Sequence, residues 1–397
     1  MLRYSHLNTA ATFIEKFKGA TPLAPYLKEQ FKKDKKYGSR DRKYISHAVY
    51  CYYRLANAIL NADVATTIQA GLLLVHTNLP NIFAEIKPAW HTMLENNIEI
   101  TTNKKIEYLT TQHIIVDINK LFKYNNLITT TLNINDVINS YLQQPSTFFR
   151  VRANADIKNF DLKIAELEAA HIDANCYAIT NNKPIDTVFA INKEVVIQDW
   201  ASQQVATYLP VLNQPKISIW DVCAGAGGKS LLAIDHYQTP TTIVNVNGTD
   251  IRPSIIENYK QRMKEAGIKS YNTSVKDITT STYLDITKKY DLAICDVPCT
   301  GSGTWARTPE MHYFFTADTI RPLITTQYLI LSNTVKQMQP NTFVLYITCS
   351  IFKQENEDII QQLLESGNRV KLIKSGIING VATKADIMYA ALLQVIG

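Results

Sequence analysis

Apolar positions along the chain fall into three successive patterns. Over the first hundred or so residues they recur at three- and four-residue steps, the period of a helix with one buried face. Ile45, Val49, Tyr52, Ala56 and Ile59 form such a stripe, and Ser39 is placed to cap a helix opening at SRDR. From about 146 to 200 the spacing shortens to β-type runs, FFRVRA, TVFAI and EVVIQD, around one amphipathic helix, FDLKIAELEAAHI. Beyond 200, apolar runs alternate with helical stretches: ISIWDVC, TIVNVNGTD, YDLAICDVP and TFVLYITC, each ending at a polar or cysteine-bearing turn. Short apolar runs of this kind are the pattern of parallel strands covered on both faces, and ligands of such sheets gather at the carboxyl ends. The pattern predicts a helical region over 1–145, a small α+β connector over 146–200 and an open α/β domain over 201–397.

Composition narrows the class. The 397 residues are 46% apolar and 19% charged, which suits a folded globular chain. No window approaches 18 uncharged apolar residues, so a membrane-spanning helix is not expected. The opening MLRYSHLNTAATFIEKF has no apolar core before Glu15 and does not read as a secretion signal. Six cysteines occur without a CxxC or HExxH motif, which points to a reduced, cytoplasmic setting and away from a metal site.

Charge changes the picture of the first region. The net +6 lies entirely within residues 1–145, where 17 Lys/Arg stand against 11 Asp/Glu. Lys28, Lys32, Lys33, Lys35, Lys36, Arg40, Arg42 and Lys43 crowd the approach to the predicted helix. A one-sided basic surface suits a polyanion such as RNA, and a merely solvated face is the competing reading.

Candidate chemistry begins with DVCAGAGGKS, Asp221 to Ser230, a strand running into a glycine-rich turn before a helix. Such a turn lets backbone approach a ligand closely. As a phosphate loop it fails, because the first required glycine falls on Cys223. As a dinucleotide fingerprint it has Gly225 and Gly227 but Ser230 at the third position, although Asp250 at the end of the next strand could hold a ribose. A methyl-donor loop is the third reading, and the segment alone does not choose. DVPCTGSG and YITCS add cysteines just beyond two further strand ends, Cys299 and Cys349, beside polar and glycine residues where function concentrates. Cys51, Cys176 and Cys295 read instead as small buried hydrophobes, and Cys223 as a structural residue lining the turn.

DVCAGAGGKS, DVPCTGSGTWARTPE and YITCSIFKQENE, in that order, resemble the signature motifs of the Sun (Fmu, RsmB-like) family of RNA cytosine-5 methyltransferases. QDWASQQV is similar to that family's entry into its catalytic domain, and FFRVRAN to the start of its connector. GSRDRKYISHAVYCYYRL resembles, more loosely, a helix of the NusB-like RNA-binding domain that some members carry. The resemblance implies a Rossmann-like class I methyltransferase domain with S-adenosylmethionine as cofactor and RNA, most plausibly 16S ribosomal RNA, as substrate, acting as a monomer. It implies that Cys223, Ala224, Gly225, Ala226, Gly227, Gly228 and Lys229 wrap the methionine part of the cofactor. Asp250 would take the ribose hydroxyls, Asp277 would lie near the adenine, and Asp296 would sit between cofactor and base. Cys349 would add to C6 of the cytosine and Cys299 would assist product release, with Lys229 or the sulfonium favouring the thiolate. Glu310 and Asn356 would hold loops in place. Transfer RNA is the alternative substrate. A nicotinamide-dependent dehydrogenase would also use the glycine loop and Asp250, but it leaves both cysteines unexplained.

Neutralising Lys32, Lys33, Lys35 and Lys36 together should weaken RNA binding and flatten its dependence on salt, because each lost phosphate contact removes a released counterion. Filter binding across a salt series checks this, and an unaltered slope would reduce the cluster to a solvated face.

Overall fold

The computed structural model describes residues 2–34, 36–75, 82–96, 100–153, 155–179, 183–280 and 289–397. Lys35 of the basic cluster and Asn154 of FFRVRAN lie outside them. The chain divides into two compact units. The first takes Met1–Asn126, Asn133–Pro145 and Thr304–Thr316, and the second takes Leu127–Leu132, Ser146–Gly303 and Ala317–Gly397. The connector stretch thus shares a unit with the α/β domain. No helix among the described residues is long and apolar enough to cross a membrane.

The first unit is helical, as its periodicity predicts. It contains α1 (Tyr4–Lys16), α2 (Leu23–Lys33), α3 (Ser39–Leu55), α4 (Val64–Leu74), α5 (Pro88–Asn96), α6 (Thr102–Thr111) and α7 (Ile134–Leu142), with a short antiparallel pair β1 (Ile59–Leu60) and β2 (Ile115–Val116). Ile45 and Val49 are fully buried on α3. The cap differs from expectation: Gly38 holds that position, Ser39 is the first helical residue, and the Gly38 N–H donates to the Asp41 carboxylate at 3.1 Å. Ile59 falls outside the helix, in β1, because α3 stops at Leu55. Arg54 is buried near the end of α3 and donates to the carbonyls of Gln143 and Ala306, each at 2.7 Å, which satisfies backbone from two distant segments. Of the basic cluster, Lys28, Lys32, Lys33, Lys36, Arg40, Arg42 and Lys43 are all exposed. Lys33 and Lys36 pair with Glu29 and Asp34, which offsets part of the local charge.

The second unit opens with β3 (Thr147–Val151), α8 (Phe160–Leu167), β4 (Ala170–Asp173), β5 (Cys176–Ile179) and β6 (Val195–Ile197). Its four-stranded sheet runs β4-β5-β3-β6, antiparallel throughout. Two expectations fail here. The amphipathic helix ends at Leu167, where Glu168 adopts a left-handed φ of 52°, and Ala170–Asp173 continues as a strand. TVFAI forms no strand: residues 185–187 make a helical turn, and Phe189 is buried against Phe149 and Phe160. Apolar alternation over so short a run reports burial, which a packed turn supplies as well as a strand does.

The α/β domain follows with α9 (Trp200–Gln204), β7 (Lys216–Asp221), α10 (Gly228–Tyr237), β8 (Ile243–Asp250), α11 (Pro253–Glu265), β9 (Tyr271–Val275), β10 (Leu292–Asp296), α12 (Pro309–Phe314, which belongs to the first unit), α13 (Ile320–Gln337), β11 (Phe343–Thr348), α14 (Glu357–Glu365), β12 (Val370–Asn379) and β13 (Ile387–Val395). The seven strands lie in the order β12-β13-β11-β10-β7-β8-β9. All neighbours from β11 to β9 are parallel, and β13 and β12 close one edge antiparallel. One face packs Ile217, Ile219 and Val246 on Leu231, Tyr259 and Met263; the other packs Ala293, Cys295 and Val344 on Ile330, Leu331 and Ile359. This is the Rossmann-like α/β fold expected. The chain runs outward from β7 to β9, then returns to β10 on the other side of β7. That reversal opens a crevice at the carboxyl ends of β7 and β10.

A buried charge cluster ties the small sheet to the large one. Asp235 on α10 accepts from both Arg150 and Arg152, the latter through Nη2 at 2.8 Å, and Arg152 also donates to the Ala266 carbonyl at 2.8 Å. All three side chains are less than a tenth exposed. Asp235→Ala leaves two guanidinium groups buried without their anion. It should lower unfolding stability by about 3–5 kcal/mol in urea titrations.

Candidate active site

The glycine loop leaves β7 at Asp221 and enters α10 at Gly228. Gly225 and Gly227 have φ of 52° and 86°, conformations that side chains oppose. At Gly227 a Cβ would also lie 2.7 Å from the flexible end of Met263 and 3.0 Å from the Tyr259 ring, so the loop passes close against α11. A Cβ at Gly225 would meet nothing within 4 Å, which leaves that side of the loop open. Ala224 N donates to Thr249 O at 2.8 Å, and Gly225 N donates to Asp250 Oδ2 at 3.1 Å. The loop is therefore stitched to the end of β8.

Beneath it lies a residue whose role the motif alone does not reveal. Asp221 is fully buried, and burial pushes its carboxyl up to about 7 despite Ser230 donating to it at 2.6 Å. Tyr259 in turn donates to Ser230 at 2.9 Å, so α10 and α11 both lock onto the strand end.

A cavity of about 510 Å³ opens beside the loop, lined by Cys223, Asp250, Asp277 and Asp296 among the expected residues. Its apolar walls include Ile251, Ile278, Val297, Pro298 and Ile330. Asp250 also carries a partner that strand-end reasoning did not foresee. Arg252 engages both its oxygens, Nε at 3.0 Å and Nη2 at 3.1 Å, and the arginine itself faces the cavity. This pairing holds the Asp250 carboxyl below its usual range against the opposing cost of burial. Asp277 accepts from Thr279 N at 2.9 Å and from its hydroxyl at 2.6 Å, which fixes the turn after β9. Burial raises the Cys223 thiol well above its usual range, and Cys295, Asp221, Asp250 and Asp296 add to that effect.

Lys229, expected to favour a thiolate, is engaged elsewhere. Its Nζ lies 3.0 Å from Asp296 and donates to Ser202 at 2.7 Å. It fixes the carboxylate at the end of β10 and connects it to α9.

Cys299 and Cys349 do come together. Their sulfurs are 3.2 Å apart, one beyond the carboxyl end of β10 and the other beyond β11. The Cys299 thiol is raised well above its usual range, first by its hydrogen bond with Cys349, then by burial and by the charges of Cys349 and Glu355. The turn carrying it is tightly determined. Gly303 N donates to Cys349 O at 2.8 Å, and a Cβ there would lie 1.9 Å from Ile387 O. Asn356 anchors the other turn by donating to Ser350 O at 2.9 Å and accepting from Thr348, the loop-holding role expected of it. Glu310 accepts from Leu23 N at 3.1 Å within the first unit. Sequence reasoning missed Ser202, Arg252, Gln327 and Glu355, although Ser202 sat within QDWASQQV and Glu355 within YITCSIFKQENE.

The arrangement can hold a nucleoside-sized ligand against three acids and present two thiols at one edge. Among the described residues no group of three His, Cys, Asp or Glu could hold a metal.

Residues 208–393 match the family described as 16S rRNA methyltransferase RsmB/F, which bears out the resemblance to the Sun family. The chain is 27% identical over 173 residues to a ribosomal RNA small subunit methyltransferase B of Xanthomonas campestris, covering 43% of this chain and 38% of that protein. The chain thus spans about two fifths of that relative's length. A protein of the same description from Photorhabdus laumondii is 22% identical over 320 residues, 79% of this chain and 71% of its own. Among solved structures, that of PH0851 covers 99% of both chains with a TM-score of 0.69 at 18% identity, a likeness of fold.

Proposed function

We propose that this chain, which carries an RsmB/F-type methyltransferase domain over residues 208–393, transfers a methyl group from S-adenosylmethionine to C5 of a cytosine in RNA, with 16S ribosomal RNA the substrate. One observation carries the reading: two thiols 3.2 Å apart at adjacent strand ends, next to a cavity whose wall includes Asp296 and Pro298 of the same turn. A dehydrogenase has no use for that pair.

The cavity fits the methyl donor. Its volume suits a nucleoside-bearing ligand. Asp250 and Asp277 offer acceptors for hydroxyl and amino groups, and Ile251, Ile278 and Pro298 offer apolar surface for a ring. Bound S-adenosylmethionine supplies an electrophilic methyl group. C5 of cytosine is too electron-poor to take it unaided, and the protein's task is to change that. Cys349 Sγ adds to C6, and the electrons of the C5–C6 bond move to C5 and make it nucleophilic. After C5 is methylated, its proton leaves to a base, the double bond re-forms and Cys349 is expelled. Cys299, its sulfur 3.2 Å from that of Cys349, donates its S–H to the departing thiolate and so assists release. Asp296, oriented by Lys229, borders both cavity and cysteine turn. The basic 1–145 region supplies phosphate contacts, and the base itself must be unstacked to reach the thiols.

Asp250→Ala should weaken S-adenosylmethionine binding by about 1–3 kcal/mol, the scale of a lost charged hydrogen bond. Calorimetry checks this, and unchanged affinity would place the ribose elsewhere.

The two cysteines separate by step. Cys349→Ala should lose both methylation and the covalent enzyme–RNA complex. Cys299→Ala should add and transfer but stall before release, accumulating an adduct that survives denaturing gels and disappears with RNase. The opposite assignment of the adduct would reverse the roles, and methylation retained by both variants would end the cysteine mechanism.

A further inference from the structure

Glu355 is fully buried, yet no lysine, arginine or histidine pairs with it among the described ion pairs. Its charge is met by hydrogen bonds alone, and their origin is specific. Oε1 accepts from Thr300 N and from Gln327 Nε2, both at 2.9 Å. Oε2 accepts from the hydroxyls of Thr300, at 2.6 Å, and Ser350. Thr300 follows Cys299 and Ser350 follows Cys349, so one carboxylate grips the residue next to each thiol. Gln327 on α13 also donates to Pro298 O at 3.0 Å, one residue before Cys299. Tyr346, on β11, donates to the Glu355 carbonyl at 2.7 Å and fixes the carboxylate's own backbone. A buried ionic group held this completely constrains geometry at a cost in desolvation, which makes it a poor choice for stability alone.

We propose that Glu355 is the positioning residue that sets the spacing of the Cys299 and Cys349 thiols. The proposal deepens the methyltransfer reading above and rests on it for its purpose. The titratable groups acting on Cys299 are Cys349, Glu355 and Tyr346, and the carboxylate's negative charge opposes ionisation of the Cys299 thiol. The same grip therefore serves distance and charge together.

The two roles can be separated because the carboxylate's partners differ in kind. Thr300 N and Gln327 Nε2 can only donate, whereas the Thr300 and Ser350 hydroxyls can turn and accept. Glu355→Gln can place its carbonyl at the Oε1 position and its amide nitrogen at the Oε2 position, keeping every hydrogen bond while removing the charge. Glu355→Ala removes both. Diamide, reduced to its hydrazine as two thiols become a disulfide, reads the spacing; alkylation of Cys299 by iodoacetamide across pH reads its ionisation. In Glu355→Gln, cross-linking should be no slower than in the unaltered protein. Its Cys299 should alkylate about three- to tenfold faster near neutral pH, as expected for a thiol relieved of a neighbouring negative charge. In Glu355→Ala, cross-linking should slow by about tenfold or more as the turns part. Should that variant not fold, Glu355→Asp, which withdraws the carboxylate by one methylene, takes its place. Slower cross-linking or unaltered Cys299 alkylation in Glu355→Gln, or unaltered cross-linking in Glu355→Ala, overturns the proposal. Neither readout needs RNA or methyl donor, so an unaltered protein that failed to methylate RNA would remove the function proposed above and leave this test intact.

Discussion

Strand β10 pairs in parallel with β7 on one side and β11 on the other, and the site depends on that double pairing. Ile294 is level with Asp221, and Asp296 is level with Ile347, so three strands end almost abreast. Parallel strands deliver their carboxyl ends to one edge of the sheet, and each end here passes directly into a turn bearing a functional group. Asp221 opens the glycine loop, Asp296 opens the Cys299 turn, and Thr348 precedes Cys349. Residues 50 positions apart in the chain thereby bring their sulfurs within 3.2 Å. The antiparallel β13 supports the same edge, because Ile387 at its start leaves room only for Gly303.

That edge concentrates acids, and the protein treats each differently. Asp250 is matched by Arg252, and Asp296 by Lys229. Asp221 is held by the Ser230 hydroxyl, and burial raises its carboxyl to about 7. Glu355 is met by four neutral donors. Low dielectric makes each of these choices costly unless hydrogen bonds are complete, so the network also rigidifies the turns. Rigid turns are what the proposed reaction between a thiol and one ring carbon would require, since small displacements there lower the rate steeply.

Much of this was legible beforehand. The four apolar runs ISIWDVC, TIVNVNGTD, YDLAICDVP and TFVLYITC all became strands of one sheet, and the motif cysteines stood at the ends of two of them. The connector was read less well. FDLKIAELEAAHI has the apolar pattern of one helix, but a left-handed residue at Glu168 turns its tail into a strand, and TVFAI forms a packed turn. Local periodicity carries no information about where the neighbouring strand will lie, and pairing decides such short segments.

By itself the sequence determined the kind of chemistry: glycine at the positions of left-handed backbone, acids at strand ends, and two cysteines in polar turns. Those features are local, because conformational freedom, side-chain reactivity and strand periodicity belong to residues and their near neighbours. Only the tertiary structure decided which charges met. Lys229, a local candidate for activating a thiol, turned to Asp296, while Arg252 closed on Asp250 and Glu355 gathered donors from three segments of the chain. Charge pairing depends on distances of a few ångströms between residues far apart in the chain, and those distances come into being only when the sheet assembles.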